Sequence, residues 1–324
     1  MVASIYIHDR RYSSLLAELD CLADYTGTVN PGIPHCLELL GESGVGKTTL
    51  VRTWMQQATP LNIAPSEERI APHVYVCLPA SATPRGIMVA CFAALGCQDP
   101  ALRGETEMMR RLLAELRTLS VRMLFIDNLE HLINRENRRI RFACLDCLED
   151  LVTQAGISTV FVGMLGEAES VVRMSPRLDF LTGAPRVLQP FDWDPTRPET
   201  VREFRLLLRA IDHALPFDSS GLDAEGMGYN VWYATNGLLG WIMTLIRHAA
   251  LRSIRSGEVI ISNSLLAQAY DACIAGTRMG EGKINPFSAP DSCQIERAQR
   301  LVTHERSPYR KPIYQGMKRK REKK

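Results

Sequence analysis

Residues 36–52 read CLELLGESGVGKTTLVR, and no other stretch constrains the fold as tightly. An apolar run leads into Gly-x-x-x-x-Gly-Lys-Thr and then into helix-forming residues. The glycines let the backbone curl so that its N–H groups face an anion, and the helix that follows adds the positive end of its dipole. Such a loop cradles phosphates. Lys47 reaches the β- and γ-phosphates of a nucleotide, and the Thr48 hydroxyl holds Mg2+. The expected binding residues are Gly41, Glu42, Ser43, Gly44, Val45, Gly46, Lys47, Thr48 and Thr49, with ATP and Mg2+ as cofactors.

A strand–loop–helix of this kind is one unit of a parallel sheet, whose strands need helices on both faces. The first 193 residues supply the other units. HVYVCLP (73–79), VRMLFID (121–127) and ISTVFVGM (157–164) read as buried strands, with PRVLQPFDW (185–193) as a fifth before Pro195. Helical patterns lie between them. They are RRYSSLLAELDCLADY (10–25), TPRGIMVACFAALG with Thr83 as N-cap and Pro84 in the first turn, TEMMRRLLAELRTLS, and NRRIRFACLDCLEDLVTQAG. TGTVNPGIP (26–34) reads as a turn-rich connector. The expected fold is α/β, a P-loop parallel sheet flanked by helices. Beyond 193 the strands stop. ETVREFRLLLRAIDHAL, GYNVWYATNGLLGWIMTLIRHAALRSIRSG and NSLLAQAYDACIAG are all helical, with Trp232 and Trp241 in core positions. Residues 194–276 are therefore expected to form a helical subdomain, and 277–324 a poorly packed tail apart from NPF at 285–287.

Composition adds exclusions. At 46% hydrophobic and 23% charged the chain is ordinary globular material. No apolar run reaches the roughly 18 residues of a membrane span. The start lacks a signal-peptide layout, so a cytoplasmic location with no membrane partner is expected. Among nine cysteines, Cys36, Cys77, Cys91 and Cys97 sit in apolar surroundings and read as buried thiols. Cys144 and Cys147 form a lone C-x-x-C inside a helical pattern, which reads as packing and not as a metal or redox site.

LFIDNLEHL (124–132) raises the chemical question. Asp127 ends a buried strand, where a carboxylate serves Mg2+. A water-aligning glutamate commonly follows such an aspartate, and here the residue is Asn128, whose amide cannot take a proton. Glu130 and His131 are nearby. Either is a substitute base if the strand end turns, and either is an ordinary loop residue if it does not. Losing a general base costs on the order of 10²–10⁴-fold in rate, so slow hydrolysis is expected.

The formal net charge is +2. The last eight residues, MKRKREKK, carry +5 of it, which leaves −3 on the rest. A nucleic-acid contact would therefore need local patches. INRENRRIR (133–141) places Arg135, Arg138 and Arg139 at a helix start, and SATPRG (81–86) places Thr83 and Arg85 at another. Helix N-termini with Arg and Thr suit DNA backbone phosphates without base readout. The plainer reading is a solvated helix face.

These stretches together resemble the TniB/TnsC family of AAA+ transposition regulators, which includes the TnsC proteins of Tn-seven-like and CRISPR-associated transposons. The likeness spans roughly residues 10–290. It rests on CLELLGESGVGKTTLV, VYVCLPASATPRGI, VRMLFIDNLEHLI, ISTVFVGMLGEAESVVRMSPRL, PFDW, TNGLLGWIMTLIRHAALRSI and the late NPF. The resemblance implies an AAA+ module with a helical lid that forms homo-oligomeric rings or helical filaments on double-stranded DNA. It also implies partnership with a TniQ-type target selector and transposase subunits. An arginine acting across subunits should lie between VFVG and PFDW; Arg173, Arg177 and Arg186 are available, and Arg177 and Arg186 are favoured. The chain departs from the family at Asn128, at Met164, where a small polar residue is common, and at Gly240–Trp241, where no sensor arginine stands. The competing classes are a STAND-like signalling switch and a clamp-loader-like ATPase with no transposon role.

Overall fold

The computed structural model describes residues 10–28, 34–58, 71–80, 82–97, 104–133 and 137–288. Two compact units divide between Pro190 and Phe191. The first carries five strands: β1 (Cys36–Gly41), β2 (His73–Cys77), β3 (Met123–Asp127), β4 (Ser158–Met164) and β5 (Arg186–Leu188). Their order is β2-β3-β4-β1-β5, and the pairings are parallel. Parallel neighbours require crossovers, and helices supply them. After α1 (Arg10–Thr28), α2 (Lys47–Ala58) joins β1 to β2; α3 (Pro84–Ala94) and α4 (Glu105–Thr118) join β2 to β3. Then α5 (Arg138–Ala155) joins β3 to β4, and α6 (Glu167–Val172) with α7 (Pro176–Thr182) joins β4 to β5.

The apolar runs sit where parallel-sheet burial puts them. All of β3 is buried, and only Met164 of β4 is not. Val74, Val76, Leu124, Ile126 and Phe161 pack with Ile87 and Phe92 of α3 and Leu148 and Leu151 of α5. Register then aligns the strand ends, pairing Cys77 with Asp127 and Gly41 with Met164. These C-terminal ends form one rim, the place where open α/β sheets bind ligands. Glu38, in mid-β1, departs from this apolar rule. It is 2% exposed, and its Oε1 has no hydrogen-bond partner among the described residues. Burial pushes its carboxyl up to about 7; Glu169 adds to the shift and Arg173 opposes it.

Two expectations change. The connector at 26–34 begins later, because α1 runs through residues 26–28. Cys77 is exposed at the rim, since it is the last residue of an edge strand, whereas Cys36 and Cys91 are buried and Cys97 is half-buried. The C-x-x-C is packing: Cys144 Sγ donates to Ala82 O at 3.6 Å and Cys147 Sγ to Pro84 O at 3.8 Å. These weak bonds tie α5 to the start of α3.

The second unit contains α8 (Pro198–Ala214), α9 (Glu225–Thr235), α10 (Leu239–Ser256) and α11 (Asn263–Cys273). Asn236 (φ 51°) and Gly237 (φ 70°) separate α9 from α10. A Cβ on Gly237 would lie 2.0 Å from Phe191 O, so only glycine closes this elbow. Trp232 Nε1 donates to the same carbonyl at 3.0 Å, and Trp232 and Trp241 both pack on the helical core. Beyond α11, Lys283 donates to Tyr233 O at 2.8 Å and Ala234 O at 3.3 Å, closing the end of α9, and Phe287 packs edge-on to Tyr270. Residues 289–324, with the basic end of the chain, and Arg135 lie outside the described residues. No helix among those described is long and apolar enough to cross a membrane.

Candidate functional site

Gly41 ends β1 where three strands converge. A Cβ there would lie 2.7 Å from Leu188 O of β5 and 2.9 Å from Val45 Cγ1. Glycine lets the loop start this close to the sheet. Gly44 (φ 80°) and Gly46 (φ 112°) then turn the backbone through conformations other residues rarely adopt. Val45 is fully buried and plugs the loop into the core, while Ser43, Gly44 and Thr49 are exposed and Glu42 is half-buried. Lys47 Nζ donates to Gly41 O at 2.9 Å and Glu42 O at 3.0 Å, so the ammonium lies across the loop. Burial pulls its pKa down, and Glu130, Asp127 and Glu42 oppose that shift.

Asp127 is 4% exposed and takes three hydrogen bonds. Thr48 Oγ1 donates to Oδ2 at 2.9 Å, Tyr75 OH donates to the same oxygen, and Asn128 N donates to Oδ1 at 2.8 Å. Burial, with Asp127 next, drives the Tyr75 phenol pKa upward. Thr48 and Asp127 thus bring hard oxygen donors together beside the phosphate loop, a donor set that fits Mg2+.

The turn after β3 decides where the next carboxylate goes. Asn128 is left-handed (φ 63°, ψ 43°), a conformation asparagine tolerates, and a 3-10 turn follows over Leu129–Leu132. Its amide is directed away from the loop, with Nδ2 donating to Cys77 Sγ at 3.1 Å. The turn carries Glu130 to the end of β4, where Oε2 accepts from Met164 N at 3.1 Å. Gly163 is spaced for this approach, since a Cβ there would stand 2.9 Å from Glu130 Oε2 and 2.4 Å from Ala168 Cβ. His131 turns the other way, Nδ1 donating to Leu78 O at 2.9 Å. Of the two substitutes for a base, Glu130 is held at the end of β4, where its charge acts on Lys47, and His131 serves the backbone after β2. Tyr75, Cys77 and Met164 N also belong to this site. Met164 was singled out in the sequence as a departure from the family; Tyr75 and Cys77 were not read as site residues, because each acts through register across the sheet.

The arginines between β4 and α8 differ in how they are held. Arg186 pairs with Glu18 of α1 and donates to Ala184 O at 2.7 Å. Arg173 pairs with Glu169 at 2.8 Å. Arg177, at the start of α7, is 60% exposed and, among the described residues, makes a loose 3.7 Å approach to Glu149. At the other patch, Asn137 caps α5, leaving Arg138 and Arg139 exposed at its first turn with Arg138 over the Phe142 ring. Thr83 caps α3 by accepting from Gly86 N at 3.0 Å, and Arg85 Nη1 donates to Met108 Sδ at 3.0 Å.

The family model for the bacterial TniB protein matches residues 3–179, more than half of the chain. The chain belongs to the TniB family. No curated protein sequence matches it. Among solved structures, this TniB-family chain is similar to Aeropyrum pernix ORC1 in complex with DNA (TM-score 0.63, 19% identity, covering 84% of this chain and 68% of that one). It is also similar to Aeropyrum pernix ORC2 in ADPNP–ADP complexes (0.59, 14%, 83% and 73%). A third is Cdc6p from Pyrobaculum aerophilum (0.58, 18%, 85% and 71%). At these identities the likeness establishes the fold: the TniB chain has the AAA+ architecture of the Orc/Cdc6 proteins.

Proposed function

We propose that this chain is an ATP- and Mg2+-binding AAA+ regulator of DNA transposition that oligomerises on duplex DNA and connects a TniQ-type target selector to a transposase. The observation that carries the reading is the convergence of Lys47, Thr48, Asp127 and Glu130 at one rim of an AAA+ sheet in a TniB-family chain. The nucleotide-bound ORC2 and the DNA-bound ORC1 among its structural neighbours support the same ligands here.

In this reading the loop of residues 41–46 and Lys47 bind the phosphates. Thr48 and Asp127 hold Mg2+, which draws charge from the phosphate oxygens when bound. Glu130, fixed by Met164 N, aligns and deprotonates the attacking water in place of the residue at 128. Arg177 reaches the nucleotide of a neighbouring subunit, as its exposure and loose pairing allow; Arg186 is the alternative, at the cost of its contact with Glu18. Arg138 and Arg139, with Thr83, Arg85 and Arg135, meet DNA phosphates without reading bases. A few contacts per subunit then add up through oligomerisation. The helical unit from Phe191 acts as the lid, and the protein works in the cytoplasm.

Electron microscopy of the full chain with a non-hydrolysable ATP analogue, with and without duplex DNA, tests the reading. Rings or filaments that need both ligands are expected. A monomer under every condition would overturn it.

A further inference from the structure

We propose that Tyr75 is a positioning residue for the metal end of the site: it fixes the Asp127 carboxylate so that only Oδ1 has an acceptor position left for water bound to the cation. The inference rests on the nucleotide reading above and goes beyond it, because no part of the phosphate-loop motif calls for a tyrosine on β2.

Three features carry it. An ionised carboxylate offers about four acceptor positions. In Asp127 three are used, two on Oδ2 by Thr48 Oγ1 and Tyr75 OH, and one on Oδ1 by Asn128 N. The two donors to Oδ2 come from opposite sides of β3. Thr48 rides on α2 after β1, and Tyr75 stands on the edge strand β2, opposite Phe125 and two residues before the Cys77–Asp127 pair. With both in place, Asp127 has little freedom to turn. The phenol is itself held. Arg52 follows Thr48 by four residues on α2, so one helix face presents the hydroxyl to Asp127 and the guanidinium to the Tyr75 ring, 5.2 Å from its centroid. The helix that carries the phosphate lysine thereby also sets the orienting phenol. Partners that orient a metal-binding group typically matter 10–100-fold for metal affinity.

The experiment is Tyr75→Phe in the full chain, which removes one oxygen and keeps the ring under Arg52. A fluorescent ATP analogue is titrated in EDTA, and Mg2+ is then titrated at fixed analogue. The expected result is an unchanged affinity in EDTA and a half-saturating Mg2+ concentration raised roughly 10-fold. Arg52→Gln, which keeps the hydroxyl, should raise it by less. An unchanged Mg2+ midpoint in a Tyr75→Phe protein that binds the analogue in EDTA overturns the proposal while leaving the nucleotide reading intact. Wild-type protein that binds no analogue under either condition overturns both. If Tyr75→Phe does not fold, Arg52→Gln decides: a raised Mg2+ midpoint supports the orienting role, and an unchanged one overturns it.

Discussion

The phosphate loop closes on its own neighbours: Lys47 bonds to carbonyls five and six residues away, and Val45 plugs the loop from within. The Asp127–Glu130 segment closes on distant parts of the chain, at Thr48, Tyr75, Cys77 and Met164. Both lie on one rim. The first is a motif because its geometry is local, and a string of eight residues can state it. The second is a meeting of three strands and a helix. The contrast predicts that damage to the loop removes ligand binding outright, whereas damage to the segment separates binding from chemistry.

Lys47→Ala is the largest break. It removes the ammonium proposed to meet the phosphates, and binding of a fluorescent ATP analogue, with DNA-bound assembly, should be lost. Wild-type assembly by this variant in ATP would show that the loop is not the ligand site.

Arg138→Ala/Arg139→Ala tests a surface farther from either region. Nucleotide binding should persist while duplex DNA binding weakens. If each arginine meets one phosphate as proposed, the slope of log affinity against log salt should fall by about 2. An unchanged slope places the DNA surface elsewhere.

The smallest effect comes from Glu38, in mid-β1 three residues before Gly41 and outside the chemistry of the site. Its folded pKa of about 7 lies above the usual carboxylate value of 4.5. The folded chain therefore holds more protons than the unfolded chain between those values, and stability falls as pH rises through that window. Glu38→Gln removes the buried charge. Its melting temperature should exceed wild type by a few degrees at about pH 8 and match it at about pH 5. A gain of equal size at both pH values would place its cause outside ionisation.

Strands and crossover helices were legible wherever apolar runs met turn residues, because parallel-sheet burial writes itself into composition. The same applies to Thr83 as a cap and to the phosphate loop. Asn128 shows where legibility ends. Read as a missing base, it marks a weakened site; in the fold, its left-handed backbone opens the turn that seats Glu130 on Met164 N and His131 on Leu78 O. Cys77 looked buried for a related reason, since an apolar pattern does not say which strand is the edge. Arg177 and Arg186 were equivalent in the sequence; the pairing with Glu18, far away in the chain, sets Arg186 apart.

The central claim is that Glu130 does the work the residue at 128 does in related sites. Phosphate release from pre-assembled protein–DNA complexes tests it most directly, with wild type, Glu130→Gln and Asn128→Glu compared at matched nucleotide occupancy. The account predicts that Glu130→Gln binds ATP as wild type does and releases phosphate roughly 10²-fold or more slowly. Asn128→Glu should gain little, because a glutamate there starts from a strained left-handed backbone pointed at Cys77. A Glu130→Gln variant that releases phosphate at the wild-type rate would contradict the account.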